Sequence, residues 1–139
     1  RMIEVFLDTS FAIALSSVSD KNHLKAVQIA NQLEKNQNRL VTTQAILLEI
    51  GNALSKKKYR LAAIQLLESL AADPNVEIIE LTNQLYTEAF ELFKNRRDKE
   101  WGLVDCISFI VMQNRGITDA LTADRHFSQA GLRALLISN

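Results

Sequence analysis

The stretch Ile3-Glu4-Val5-Phe6-Leu7, followed directly by Asp8-Thr9-Ser10, decides the fold of this chain. Four of the first five residues are apolar, and neither Gly nor Pro interrupts them. Val, Ile and Phe favour strands, so this run predicts a buried strand, most naturally the middle strand of a parallel sheet. Thr9 and Ser10 predict the start of a helix. Ligands of open α/β sheets bind beyond the carboxyl ends of the strands, so Asp8 is expected in a functional site.

Further strands alternate with helices along the rest of the chain. Short apolar runs ending at Thr42, Leu81 and Ala123 predict strands, and a last strand is expected over Leu132–Ile137. Apolar residues at helical spacing predict helices between them, and Lys56–Arg60 is expected to form a basic turn. This alternation is typical of an α/β fold in which helices cover both faces of a parallel sheet. We expect one such domain over residues 1–139.

Composition excludes several classes of protein. The 16 Lys and Arg residues balance the 16 Asp and Glu residues, so any binding of nucleic acid must depend on local basic patches. The single cysteine, Cys106, excludes a disulfide within the chain and predicts a reducing, cytoplasmic setting. No apolar run reaches the ~18 residues that a membrane span needs, and no signal peptide is expected.

Five acidic residues have apolar neighbours in the sequence, unlike most charges of the chain: Asp8, Glu49, Asp105, Asp119 and Asp124. Burying an unpaired carboxylate is costly, and no Lys or Arg lies close to Glu49 or Asp105 in the sequence. A divalent cation would satisfy several carboxylates at once, because hard cations such as Mg²⁺ prefer oxygen ligands. The pattern therefore indicates a metal site.

Each acid also has a purely structural explanation. Asp8 and Asp124 follow strands and precede helices, where Asp is a favoured N-cap. Asp105 lies near the start of its helix, where the helix dipole would stabilise it. Glu49 lies in the middle of a helix, where a buried polar network would explain it. These explanations stay open for single residues, whereas the four acids together favour the metal site.

Four motifs follow in order along the chain: Asp8-Thr9-Ser10, Leu48-Glu49-Ile50, Trp101-Gly102-Leu103-Val104-Asp105-Cys106-Ile107-Ser108 and Ala120-Leu121-Thr122-Ala123-Asp124-Arg125-His126-Phe127. In these motifs the chain resembles the PIN-domain ribonucleases, and in particular the VapC-type toxins of bacterial toxin–antitoxin pairs. The resemblance implies a parallel sheet of about five strands between helices. It also implies an Mg²⁺ or Mn²⁺ site formed by Asp8, Glu49, Asp105 and Asp124, a single-stranded RNA substrate, a homodimer and a small antitoxin as partner.

Additional polar residues are expected around this site. Thr9 and Ser10 are placed to hydrogen-bond the ligand acids or a phosphate, although helix starting explains them equally well. Thr122 is placed to orient Asp124 in the same way, although strand packing is the better explanation of this residue. Asn52 lies three residues after Glu49, on the same face of a helix. Asp119 is either an auxiliary ligand or a surface residue.

Basic residues are the natural contacts for RNA phosphates, although such runs are often only solvated surface. The candidates are Lys56, Lys57, Lys58, Arg60, Arg96 and Arg97. His23 and His126 lie far apart and lack the spacing of zinc ligands, so we reject a histidine-based zinc site.

Two other functions fit parts of the sequence. A phosphohydrolase similar to the haloacid dehalogenases would use Asp8 as its nucleophile. That chemistry needs a second acid two residues later, where this chain has Ser10. A PIN-fold binding module without activity is the other alternative, and the complete set of acids argues against it. Manganese-dependent cleavage of RNA separates the three functions.

Overall fold

The computed structural model describes residues 3–137 of the chain. Five strands form one parallel sheet: β1 Glu4–Leu7, β2 Arg39–Thr43, β3 Val76–Ile79, β4 Asp119–Leu121 and β5 Arg133–Ala134. Within these residues the sheet is flanked by seven helices: α1 Thr9–Ser16, α2 His23–Lys35, α3 Gln44–Ala53, α4 Lys57–Ala72, α5 Asn83–Asn95, α6 Leu103–Arg115 and α7 Arg125–Gln129. The α/β fold with a parallel sheet between helices is therefore confirmed.

The order of the strands in the sheet is β3-β2-β1-β4-β5, with β1 in the middle. The chain first builds the sheet to one side of β1, through β2 and β3, and then crosses to the other side for β4 and β5. The direction of winding thus changes between β1 and β4. Ligands of α/β sheets bind in the crevice at such a switch point, beyond the carboxyl ends of the two strands. Asp8 follows β1 and Asp124 follows β4, so both flank this crevice.

An aromatic cluster fixes α6 and α7 against the central strand. The rings of Phe109 on α6 and Phe127 on α7 meet edge to face with centroids 5.0 Å apart, and Phe6 of β1 lies 6.3 Å from Phe127. Trp101 is buried against Phe109, and its indole N–H donates to Gln129. Aromatic pairs of this geometry add to the burial of their apolar surface. The first turns of α6 and α7 are thereby held at the carboxyl edge of the sheet.

Several element boundaries differ from the expectation. Strand β3 ends at Ile79, two residues before the end of the predicted run. Helix α4 begins at Lys57, so most of the basic segment forms its first turn and not a loop. Lys, Arg and Leu are good helix formers, and no breaker follows before Pro74. Strand β4 ends at Leu121, and β5 spans only Arg133–Ala134, which makes the last strand shorter than predicted. Within residues 3–137, no helix has the length and apolar character that crossing a bilayer requires.

Candidate metal centre

The structure brings the four acids predicted as metal ligands to the carboxyl edge of the sheet. Asp8 directly follows β1, and Asp124 is the N-cap of α7 beyond β4. Asp105 lies in the first turn of α6, and Glu49 lies on α3. The charges of Glu49 and Asp105 both help to raise the pKa of Asp8, which is possible only because these carboxylates are near it.

Asp8 has the least exposed side chain of the four acids, at 7%. Its carboxylate makes no capping hydrogen bond to α1, so a helix cap does not account for it. Instead, Oδ2 accepts a hydrogen bond of 2.7 Å from the Thr122 hydroxyl and a longer one, 3.5 Å, from Ser10. Burial, together with the charges of Glu49 and Asp105, raises the pKa of Asp8 to about 6, although the Thr122 hydrogen bond opposes this. A buried carboxylate with acidic neighbours is a group that a bound cation would stabilise.

Hydroxyl groups connect the acids to the backbone around the switch point. Thr9 Oγ1 donates to Glu49 Oε1 at 2.6 Å and so joins the start of α1 to α3. Thr122 Oγ1, besides donating to Asp8, accepts the backbone N–H of Asp124 at 2.9 Å. Ser10 Oγ lies 3.3 Å from Thr122 Oγ1. Thr9, Ser10 and Thr122, which the sequence indicated as auxiliary residues, thus all belong to the hydrogen-bond network of the acids.

A histidine that sequence reasoning missed connects the other two acids. His126 Nδ1 lies 2.8 Å from Asp105 Oδ2 and 3.4 Å from Asp124 Oδ1. The two carboxylates also accept backbone N–H groups, Asp105 from Gly102 at 3.0 Å and Asp124 from His126 at 2.9 Å. Partial burial lowers the pKa of His126, but the hydrogen bond to Asp105 and the surrounding acids raise it overall. Single ligand atoms of these three side chains lie within 4.8 Å of one another, a spacing that suits a metal ion.

The signal for His126 was present in the sequence. The sequence argued against a histidine-based zinc site because His23 and His126 lie far apart without zinc spacing. In the structure the His23 ring hydrogen-bonds the Ala14 carbonyl. His126 lies two residues after Asp124, at the beginning of the helix that Asp124 caps. A short separation of this kind at a helix start places an imidazole beside a carboxylate without any second histidine.

The donor set fits a hard divalent cation such as Mg²⁺ or Mn²⁺. Hydrogen bonds hold one oxygen of each acid: Asp8 Oδ2, Glu49 Oε1, Asp105 Oδ2 and Asp124 Oδ1. The second oxygens of Glu49, Asp105 and Asp124 accept no hydrogen bond from the described part of the chain. Hard cations take carboxylate oxygens, and ligating carboxylates are in turn hydrogen-bonded by their surroundings.

Comparison with known proteins assigns the chain to a family. The model of the PIN domain matches residues 5–132. The chain belongs to the PIN domain family. The resemblance that the four motifs indicated is therefore confirmed.

Among curated PIN relatives, the chain is similar to the 23S rRNA-specific endonuclease VapC20 of Mycobacterium tuberculosis, from strains CDC 1551 / Oshkosh and H37Rv. The identity is 28% over 127 residues, which cover 91% of this chain and 94% of the relative. The crystal structure of VapC20, described as a sarcin–ricin loop cleaving toxin, matches with a TM-score of 0.80 over 92% of this chain and 95% of that one.

Two structures of VapBC proteins bound to DNA have the same fold at lower identity. VapBC2 from Rickettsia felis matches with a TM-score of 0.68 and 17% identity, over 95% of this chain and 97% of that one. VapBC from Salmonella typhimurium also matches with a TM-score of 0.68, at 15% identity, over 96% of this chain and 97% of that one. These two likenesses concern the fold alone.

Two predicted auxiliary residues lie outside the acidic cluster of this PIN domain. Asp119 is the first residue of β4, at the amino edge of the sheet, and both of its carboxylate oxygens accept hydrogen bonds from Arg133, at 3.0 and 2.8 Å. The structure thus places Asp119 in an ion pair away from the metal centre. Asn52 is exposed on α3, and its side chain forms no hydrogen bond with the other described residues.

The basic residues predicted to contact RNA differ in how far they are already engaged. The Arg96 guanidinium hydrogen-bonds Asp98 and lies 4.9 Å from the centroid of the Trp101 ring. Arg60 donates to the Ser55 carbonyl and so closes the turn between α3 and α4. Four others are exposed and form no ion pair within residues 3–137: Lys56, Lys57, Lys58 and Arg97.

Proposed function

We propose that this PIN domain is a metal-dependent endoribonuclease and the toxin of a toxin–antitoxin pair. The observation that carries the proposal is the group of four acids at the switch point, none of which is paired with Lys or Arg in the described part of the chain. Clustered carboxylates repel one another, and a divalent cation relieves this repulsion. The similarity to an endonuclease specific for 23S rRNA supports RNA as the substrate.

The roles of the residues follow from their positions. Asp8, Glu49, Asp105 and Asp124 would hold Mg²⁺ or Mn²⁺. When bound, such an ion acidifies a water molecule and polarises a phosphoryl oxygen. Thr122 and Thr9 restrict the rotation of the Asp8 and Glu49 carboxylates, so that less order has to be imposed when the ion binds.

The phosphate backbone of RNA needs positive charge close to this acidic centre. Lys56, Lys57 and Lys58 lie at the start of α4, and Arg97 lies in the loop that leads to α6. Exposed cations without an ion-pair partner are free to contact phosphates, whereas Arg60 and Arg96 already have partners. We assign phosphate contacts to the first group.

Assembly is a second part of the proposal. Two structures with the same fold are of VapBC bound to DNA, which supports a small antitoxin as partner. Apolar side chains exposed on α4 and α5, among them Leu61, Ile64 and Phe90, offer surface for the antitoxin or for a second copy in a homodimer. The single cysteine and the RNA substrate fit a cytoplasmic location.

The proposal is tested with metal-stripped protein and end-labelled RNA. Wild type should cleave single-stranded RNA when Mn²⁺ or Mg²⁺ is added and lose the activity with a chelator. Asp8→Asn should be inactive, whereas Asp119→Asn, which changes an acid at the other edge of the sheet, should remain active. A stem-loop with the sarcin–ricin sequence, compared with unstructured RNA, determines whether the specificity is like that of VapC20.

Three outcomes contradict the proposal. Cleavage that continues in the chelator, or in Asp8→Asn, excludes the metal centre described above. RNA binding without cleavage under any metal supports the silent binding module. Hydrolysis of a small phosphate ester, but not of RNA, supports the phosphohydrolase with an Asp8 nucleophile.

A further inference from the structure

His126 contacts two of the four acids at once. Among residues 3–137 it is the one side chain that lies within hydrogen-bond range of two of these carboxylates, those of Asp105 and Asp124. The three residues come from two elements, because Asp105 lies on α6 whereas Asp124 and His126 begin α7. His126 therefore determines how the acid on α6 is placed relative to the acid beyond β4.

Nδ1 of His126 acts as a hydrogen-bond donor in this arrangement, because the carboxylate oxygens that it faces only accept. His126 Nδ1 faces Asp105 Oδ2 and Asp124 Oδ1, the same two oxygens that accept the backbone N–H groups of Gly102 and His126. The other oxygen of each carboxylate accepts no hydrogen bond from the described residues. A nitrogen of imidazole either carries a proton or offers a lone pair, so the Nδ1 that donates to Asp105 cannot also bind a metal, and Nε2 is the only ring nitrogen that could.

The same arrangement recurs on the other side of the centre. Thr9 donates to one oxygen of Glu49, and Thr122 donates to one oxygen of Asp8. In each case a neighbouring side chain holds one carboxylate oxygen. His126 holds one oxygen of Asp105 and one oxygen of Asp124, and among the described residues it is the one side chain that contacts two of these carboxylates.

Packing keeps the imidazole in this place. Phe127, the next residue, is fully buried and packs against Phe109 of α6 and Phe6 of β1. Phe109 lies four residues, about one helical turn, after Asp105. The backbone of α7 is thus anchored to the same helix that carries Asp105, and the His126 side chain, only 31% exposed, has little freedom to leave the carboxylates.

We propose that His126 is a positioning residue whose Nδ1–H holds Asp105 and Asp124 in the arrangement that a divalent cation needs, without binding the cation itself. The inference rests on the metal centre of the proposed function and is independent of whether RNA is the substrate. Removing partners of this kind typically weakens metal binding about 10- to 100-fold.

The experiment measures binding of Mn²⁺ and of Mg²⁺ by titration calorimetry on metal-stripped protein. His126→Ala removes the donor and should weaken the affinity for each ion by about 10- to 100-fold. The factor should be similar for the two ions. His126→Asn keeps an N–H donor near the position of Nδ1 and should recover most of the affinity. His23→Ala is the matched control, because that ring contacts the Ala14 carbonyl, and should bind both ions like wild type.

Two results overturn the inference. Unchanged affinity in His126→Ala shows that the carboxylates need no help from the imidazole. A loss confined to Mn²⁺, with Mg²⁺ binding intact and no recovery in His126→Asn, identifies His126 as a direct nitrogen ligand, because softer ions gain more from imidazole. The thermal unfolding of each variant checks the fold, and His126→Asn decides the matter if His126→Ala does not fold. RNA cleavage is scored separately, so a protein that binds metal in this pattern but cuts no RNA contradicts only the proposed function.

Discussion

The acidic residues at the two edges of the sheet have different kinds of partner. At the amino edge, Arg115 binds Glu4 and Glu77, and Arg133 binds Asp119. At the carboxyl edge, the four acids of the proposed metal centre receive hydroxyl groups, backbone N–H groups and one imidazole, but no Lys or Arg from the described residues.

This difference shows where the chain supplies its own counter-charge. An acid paired with arginine has no need of a cation, and its charge serves the stability of the fold. A group of acids whose protein partners are nearly all uncharged keeps its negative charge for a cation from solution. Acidic residues of the same type therefore have different roles at the two edges.

The largest expected effect is on catalysis. Asp105→Asn keeps the size of the side chain but removes a charge that the metal needs, and we expect cleavage to fall by at least about 10³-fold, because a bound metal supplies several kcal/mol to the transition state. Glu77→Gln at the amino edge should cleave RNA like wild type. Single-turnover cleavage in Mn²⁺ measures both. Full activity in Asp105→Asn would remove the proposed mechanism.

The next effect is on stability without metal, where substitutions at the two edges should have opposite signs. Asp8→Asn removes a buried carboxyl group whose pKa is raised from 3.8 to about 6. At pH 7.5 this raised pKa lowers the free energy of unfolding of wild type by about 3 kcal/mol. We expect this variant to be more stable than wild type. Asp119→Asn loses its ion pair with Arg133 and should be slightly less stable. Chemical denaturation of metal-stripped protein measures both.

The dependence on pH checks the cause of the stabilisation. Folded wild type holds the Asp8 proton to a higher pH than the unfolded chain does, so its stability decreases as the pH rises from about 4 to about 6. Asp8→Asn lacks this loss, so its advantage should grow over the same range and stay constant above it. A lower stability of Asp8→Asn at pH 7.5 would instead mean that Asp8 has a structural role.

The affinity for metal should depend on pH in the opposite direction. Below about pH 6 the ion has to displace the proton of Asp8, so Mn²⁺ affinity should fall by up to about tenfold per pH unit, and it should level off above this pH. Asp119→Asn should follow the same curve as wild type, since that residue lies at the amino edge. Calorimetric titrations between pH 5 and pH 8 test the prediction. An affinity that does not change over this range would exclude Asp8 from the ligands.

The smallest expected effect concerns RNA binding. Lys57→Ala combined with Lys58→Ala removes two exposed charges at the start of α4, so RNA affinity should fall a few-fold and the salt dependence should flatten by about 1 to 2 units of slope. Cleavage at saturating RNA should hardly change, because such contacts act on bound substrate and transition state alike. Filter binding at several salt concentrations measures the slope. Arg133→Ala at the amino edge is the control, and an unchanged slope in the lysine variant would place that patch outside the RNA path.

The acids that we propose as metal ligands could be singled out in the sequence because isolated acids in apolar runs are costly without a partner. Glu49 and Asp105 stood out for this reason, and the strand ends at Asp8 and near Asp124 gave their location. Local sequence could not separate Asp119 from them, since its partner Arg133 lies on the next strand and is recognised only when β4 and β5 pair.

The hydrogen bonds within the centre lay further beyond prediction. That Thr122 donates to Asp8 depends on β4 lying beside β1, and the strand order of a parallel sheet is not written in any local pattern. The start of α4 at Lys57 differs from the prediction for another reason. The charges of this segment favour an exposed turn, whereas the helix propensity of its residues extends the helix through it.

The hydrogen bond between Thr122 and Asp8 also has a consequence for the timing of folding. It joins residues 114 positions apart, so this contact cannot form until the chain has been synthesised beyond β4. A nascent chain that ends before β4 carries Asp8, but it lacks Thr122, Asp124 and His126. Contacts this distant in sequence carry a large loop-closure entropy and form slowly. A chain that folds in this order therefore has its four acids together only after the start of α7 has been synthesised.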